Sequence, residues 1–204
     1  MNQFFRSRRR AALLTIAAVS LFAAGGLNRF ASARTDTTSL ADSMQKKIDH
    51  LKQNAAMNPP DQSPTVFSQD EINAYFASGR VKVPAGVESV TFDLAPGIVT
   101  ARTHVDFDKL SENVRKDHPL LYIFSGTHDA VVMAHAEGSG GMAHVTIDSL
   151  ELDGMRVPRR AMELFIERFV NPKYPSIRMD GEYHMPTRID LALIGERTGT
   201  ITQK

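Results

Sequence analysis

The 204-residue chain has no cysteine and no tryptophan, and its 24 lysines and arginines are nearly matched by 23 acids, for a formal net charge of +1. Without cysteine there is no disulfide framework, no thiolate nucleophile and no cysteine-based zinc site. A chain this close to neutral also lacks the basic surplus with which proteins hold nucleic acid. No G-x-S-x-G nucleophile elbow occurs, and no carboxylate pair sits in an apolar setting that would raise one pKa for acid-base work. Gly138-Ser139-Gly140-Gly141 is glycine-rich but joins two strand-like runs instead of opening a helix, so it reads as a turn and not as a phosphate cradle. Internal repeats and low-complexity tracts are missing too. The length suits one domain with a real core, and the expectation is a non-enzymatic protein without cofactor.

Seven histidines make metal binding the remaining chemical question. His128 and His135 lie seven apart and point to opposite faces of a strand. His104, Asp106 and Asp108 share a face and form a nitrogen-plus-two-oxygen set, but a solvated polar sheet face explains them as well. The expectation is therefore no metal site.

The N-terminus carries an export pattern. Arg6, Arg8, Arg9 and Arg10 precede an apolar stretch of 17 residues at 11–27, and Ala31-Ser32-Ala33 is a small-x-small cleavage site. Cleavage would leave a mature chain starting at Arg34. The competing reading is a retained anchor, for which the stretch is short and is weakened as a helix by Gly25-Gly26. Residues 1–33 are thus a signal peptide or membrane anchor. Either reading puts the rest of the chain in the periplasm or on the outer face of the cytoplasmic membrane.

Residues 34–64 divide into an amphipathic helix at 39–56 and a linker with three prolines at 58–64. The helix has a narrow stripe of Leu40, Met44, Ile48, Leu51 and Ala55, which suits a stalk or partner helix slightly better than a helix packed on the domain. The domain proper then spans 65–204. Ser68 and Glu71 make a capping box, and Phe67 and Ile72 a hydrophobic staple, so a helix begins at Gln69 and ends at Gly79.

Beyond it the hydrophobic period falls to two. Leu94 facing Val99, Phe92 facing Ala101 and Val90 facing Thr103 give one apolar face across Pro96-Gly97, and a one-residue slip would mix the faces. A short strand at Val81 and Val83 is broken by Pro84. The polar segment 109–118 has room for one or two helical turns, and 120–124 is five apolar residues that suit a buried strand or a buried helix equally. A second hairpin, 129–136 with 142–148, is read with Ala136 opposite Met142. That register places Val131 opposite Ile147 and Met133 opposite Val145, puts His135 and His144 on opposite faces, and needs a bulge near Ser149. Pro158 starts a helix to about Val170 that is apolar on most sides.

The run FSQDEINAYF, followed by strands and later by LDGMRVPRRAMELFIERFV, resembles the YpmS-like and LmeA-like envelope proteins, phospholipid-binding domains related to tubular lipid-binding folds. The resemblance covers roughly residues 66–204 and implies a lipid or other long apolar ligand. It directs attention to apolar surface beyond what one small core uses. Such surface is either the centre of a well-packed sheet or an acyl-chain groove that works by hydrophobic burial alone, at about 0.8 kcal/mol per methylene. Candidate groove residues are Tyr122, Phe124, Val132, Ala134, Leu164, Phe165 and Ile166. The expected fold is α+β, a curved antiparallel sheet of about five or six strands with helices at 69–78 and 159–170 on its concave side. The expected function is lipid binding, with possible transfer, in the cell envelope. The alternative is a ligand-free envelope module acting through protein partners.

Overall fold

The computed structural model describes residues 34–110, 119–172 and 177–204. The export segment at 1–33 and most of the polar segment at 109–118 lie outside the described residues. Among the described residues the chain is α+β, with nine strands in one sheet and every pairing antiparallel. The strands are β1 (Thr65–Ser68), β2 (Val87–Ala95), β3 (Ile98–Asp106), β4 (Thr127–Ser139), β5 (Met142–Leu152), β6 (Met155–Arg156), β7 (Asp180–His184), β8 (Ile189–Gly195) and β9 (Thr198–Gln203). The helices are α1 (Arg34–Asn54), α2 (Gln69–Ala77), α3 (Phe107–Leu110) and α4 (Arg159–Phe165). A 3-10 turn at Pro119–Ile123 precedes β4, and a π turn at Ile166–Val170 continues α4.

Strand β4 organises the sheet. It pairs with β3 from Thr127 to His135, and Gly138 then pairs with Ala143 of β5 on one side and Ala192 of β8 on the other. The sheet therefore forks along one edge of β4, into β3-β2 and into β8-β9-β1, while β5 carries β6 and β7 on the opposite side. The first hairpin has the expected register, Leu94 with Val99, Phe92 with Ala101 and Val90 with Thr103.

The second hairpin does not. Gly140 and Gly141 both have positive φ, 58° and 80°, so they form the tight two-residue turn that matches strand twist, and Glu137 to Ser139 continue β4. Ala136 consequently faces Val145 instead of Met142, and Ala134 faces Ile147. The shift of three residues reverses parity. Ala130, Val132, Ala134 and Ala136 share the face that carries the core, while Val131 and Met133 pair with Glu151 and Ser149 on the other. The expected bulge is present, with Asp148 the extra residue between the Met133–Ser149 and Ala134–Ile147 pairs. Two other segments also differ from expectation. Residues 81–83 form a loop, and 120–124 is neither strand nor α-helix but the 3-10 turn, whose three-residue period turns Leu121 and Phe124 inward.

Helix α1 packs on the domain and does not stand off it. Met44, Ile48 and Leu51 form a buried cluster with Phe67 and Tyr75, and no helix of the described residues is long and apolar enough to cross a membrane. Its C-terminal end is tied to β9, where the Asn54 side-chain amide donates to Gln203 Oε1 at 2.8 Å and the Gln203 amide donates to the Leu51 carbonyl at 2.7 Å. Nearer its middle the tie is Glu71. This buried carboxylate closes the capping box, accepting from the Ser68 N–H at 2.8 Å while the Glu71 N–H donates to Ser68 Oγ at 3.1 Å. It also accepts from Ser43 Oγ at 2.5 Å and from Lys47 Nζ at 2.6 Å.

Ser68→Ala should cost about 1 kcal/mol in denaturant unfolding, by leaving a helical N–H without its cap. Glu71 adds a pH signature. Burial pushes its pKa up, but the bonds from Lys47, Ser43 and Ser68 outweigh burial and hold it below the usual 4.5. A folded-state pKa below the unfolded one stabilises at neutral pH, and that contribution disappears as pH falls from about 4.5 through the folded value. Glu71→Gln should therefore be less stable than the parent at pH 7, by about 1–3 kcal/mol. Urea midpoints of the two proteins should converge on acidification; a constant gap down to pH 3 would remove Glu71 as its cause.

Candidate functional site

The core-bearing face of the sheet holds a cavity. It spans β2, β3, β4 and β5, with a volume of about 360 Å3, whereas a second space beneath α1 and α2 measures only about 60 Å3. Four strands at their usual spacing give the larger cavity a length of roughly 14 Å. Its floor is made by small and medium side chains, Val90 on β2, Ala101 and Thr103 on β3, Val132 on β4, and Ile147 and Leu150 on β5. All six lie on the face that carries the helices, yet all remain partly exposed. Thr103 supplies the single polar side chain among the described lining residues.

The roof comes from α4 and the π turn. Met162, Phe165, Ile166, Phe169 and Val170, spaced i, i+3, i+4, i+7 and i+8, form one stripe that faces the cavity, and the π turn that carries its last part is closed by the Asn171 N–H donating to the Ile166 carbonyl at 2.8 Å. π turns are rare and recur at functional sites. Behind the roof an aromatic cluster fixes its height. Phe165 stacks on Phe169 at 5.0 Å between ring centres and packs against Phe124 at 4.4 Å, and Phe107 closes on both Phe124 and Phe165 at 5.4 and 5.7 Å. The remaining walls are Phe76 of α2, the loop 83–85, Leu110, and Ile177 with Met179.

Helix α2 also closes part of the β2 edge. The Asn73 side chain accepts from the Phe92 N–H at 2.7 Å and donates to the Phe92 carbonyl at 2.9 Å, while Gln69 accepts from the Leu94 N–H at 2.8 Å. These bonds hold Phe76 against Phe92, with ring centres 4.7 Å apart, at one end of the cavity.

Of the seven residues expected to line a groove, Val132, Phe165 and Ile166 line this cavity. The other four do not. Phe124 and Leu164 are buried in the cluster behind the roof, Ala134 packs with Phe92 and Val99, and Tyr122 points outward, 65% exposed. The floor also includes Ala101 and Thr103 of β3, small side chains set among Phe92, Val99 and Val105 on the same face. Small residues at the centre of a sheet leave room above them.

The outer face of the sheet carries three histidines that meet acids. His104 meets Asp129 at 2.8 Å, His135 meets Asp148 at 2.6 Å and His144 meets Asp180 at 3.0 Å. His135 and His144 thus share a face, contrary to the expected register. Hydrogen bonding to Asp129 raises the His104 pKa. Asp106 meanwhile accepts from the backbone of Asp108 and Lys109, and Asp108 from the Gly126 N–H, so His104, Asp106 and Asp108 do not converge. Among the described residues no three histidine or acid side chains are placed to share an ion. No family model matches the chain, and no curated protein or solved structure matches it.

Proposed function

We propose that the chain is a non-enzymatic binding protein that holds an acyl chain, or another long apolar ligand, between the sheet and α4. The observation that carries this reading is the cavity of about 360 Å3, lined by apolar side chains except for Thr103. Packing flaws in domains rarely exceed the size of a water molecule. This space opens to solvent, since all six floor side chains stay partly exposed, and it leaves wet an apolar surface whose covering by a ligand would be favourable at about 25 cal/mol per Å2. A space of that size is better understood as a binding site, and it lies within the roughly 300–1,000 Å3 typical of ligand pockets.

On this reading the sheet is a curved surface, with α2 and α4 on its concave side and the ligand lying across β2 to β5. Burial of methylenes at about 0.8 kcal/mol each provides the affinity, so no catalytic residue is needed. The export pattern at the N-terminus and the resemblance to phospholipid-binding envelope proteins support the same role in the cell envelope. Native mass spectrometry of residues 34–204 purified from cells tests it. A copurified apolar molecule, displaced by a fluorescent acyl probe, is the expected result. A clean mass together with no probe binding would reject the proposal in favour of a module acting through protein partners.

A further inference from the structure

His128, on β4, is held between two acceptors. Its Nδ1 lies 2.6 Å from Asp153 Oδ2, in the turn between β5 and β6, and its Nε2 lies 2.8 Å from the Ser125 carbonyl, just after the 3-10 turn. A carboxylate and a carbonyl only accept, so both ring nitrogens must carry a proton for the two bonds to form together, and the ring is then an imidazolium. Asp153 meets it from a fixed position. The Asp129 N–H donates to Asp153 Oδ1 at 2.9 Å, and the Asp153 N–H donates to the Asp129 carbonyl at 2.9 Å.

The bond to Ser125 leads to the cavity. Leu121 and Phe124 of the preceding residues are fully buried, and Phe124 packs on Phe165 of the roof at 4.4 Å between ring centres. Phe107 touches Phe124 and Phe165 and also the His128 ring, the last at 6.0 Å. Two further bonds hold the same segment, from the Phe107 N–H to the Gly126 carbonyl at 2.8 Å and from the Gly126 N–H to Asp108 Oδ2 at 3.0 Å. Both have backbone donors, whereas the His128 bond depends on a proton that a histidine exchanges with water near neutral pH. Asp153 thus faces the ring from the β5–β6 turn, and Asp108 approaches its neighbour Gly126 from α3. On the outer face His104 pairs with Asp129 at 2.8 Å, in the field of Glu88 and Asp153.

We infer that His128 is a proton-dependent clasp beneath the cavity roof. Protonated, it ties the 3-10 turn to the β5–β6 turn and keeps Phe124 under Phe165; deprotonated, it has one N–H for two acceptors, so one tie is lost and ligand exchange becomes faster. The clasp stands on the hydrogen bonds alone, and its effect on exchange rests on the proposed cavity function. Hydrogen bonding to Asp153, and then to the Ser125 carbonyl, outweighs burial and raises the His128 pKa above its ordinary 6.5. The same pair holds the Asp153 carboxyl below its ordinary 3.8. A folded-state pKa above the unfolded one means that the clasp contributes fully below pH 6.5 and is lost as pH rises through the folded value.

The test uses residues 34–204, which hold every element and core cluster described above. Nitrogen-15 shifts of the His128 ring should titrate with a midpoint above pH 6.5. The Phe124 N–H donates to the Leu121 carbonyl at 3.1 Å, and its protection from exchange, after correction for the intrinsic rate, should fall about fivefold between pH 6 and 8.5, as expected for one partly exposed charged hydrogen bond. Asp153→Asn is the decisive variant. It keeps an oxygen for the Asp129 N–H and suits the positive φ of 50° at this position, while its amide donates to Nδ1. A neutral ring protonated on Nε2 then satisfies both neighbours, so the midpoint should drop below 6.5 and the step in protection should disappear. His128→Gln, with no ring to titrate, should show no step either. The dissociation rate of N-phenyl-1-naphthylamine, an uncharged apolar fluorophore, should rise with the same step in the parent and stay level in both variants. If this probe binds at no pH, the cavity function is rejected, and Phe124 exchange, measured without probe, still decides the clasp. A midpoint at or below 6.5 in the parent, a step that survives Asp153→Asn, or a bound probe that leaves at one rate across the range overturns the inference.

Discussion

Val145→Asp should abolish cooperative unfolding at 25 °C, while Val131→Asp should fold and melt close to the parent. Val145 is buried opposite Ala136, in a cluster with Phe92, Leu94, Val99 and Tyr183 that offers a carboxylate no cation. Burying an unpaired charge there costs about 5 kcal/mol or more, comparable with the full 5–15 kcal/mol that holds a typical domain together. Val131 lies on the opposite face between Arg102 and Glu151, where an aspartate stays hydrated and reaches an arginine. Its cost should be about 1 kcal/mol or less, mainly from lower strand propensity. Circular dichroism and urea unfolding of both variants check the parity of the sheet. Equal damage from the two substitutions would put Val131 back in the core.

Ala101→Trp should remove acyl-probe binding, by about tenfold at least, with the melting temperature within a few degrees of the parent. Ala101 lies at the centre of the cavity floor, paired with Phe92 and Val132, and faces the open space of about 360 Å3. Ala134→Trp is the contrast. Two residues along β4 from Val132, it packs against the closed cluster around Phe92 and Val99, so added bulk should cost about 1–3 kcal/mol through overpacking. Probe titration and thermal unfolding of the pair distinguish a filled site from a damaged core. If Ala101→Trp binds the probe as tightly as the parent, the ligand does not lie over β3.

These two contrasts also show what was legible beforehand. The first hairpin could be read residue for residue because β2 and β3 each alternate strictly, and only one parity keeps Arg102 and Asp93 out of the core. The second misled because β4 is apolar on both parities, Val131 and Met133 as well as Ala130, Val132 and Ala134, so its own pattern cannot choose a face. Its partner β5 has one apolar parity, but the bulge at Asp148 divides that signal between Val145, Ile147 and Leu150, Leu152. The adjacent glycines 140 and 141 were the stronger clue, since two residues with positive φ suffice for a tight hairpin. At the cavity, periodicity identified Phe165 and Ile166 on a helix with too much apolar surface for one stripe. It could not foresee a π turn, which depends on a single shifted hydrogen bond. Nor could five apolar residues at 120–124 reveal a 3-10 turn until Leu121 and Phe124 found the aromatic cluster and left Tyr122 outside.

The amides of Asn73 and Gln69, bonded to β2 at Phe92 and Leu94, do the work of a further strand. They occupy backbone donors and an acceptor that would otherwise template another chain, along a stretch with Phe92 and Leu94 beneath it. Local opening of α2 would therefore free an adhesive sheet edge and withdraw Phe76 from the cavity wall in a single step. Self-association of the protein should then follow the frequency with which this one short helix frays, a frequency set by the Ser68–Glu71 cap, and not the stability of the domain as a whole.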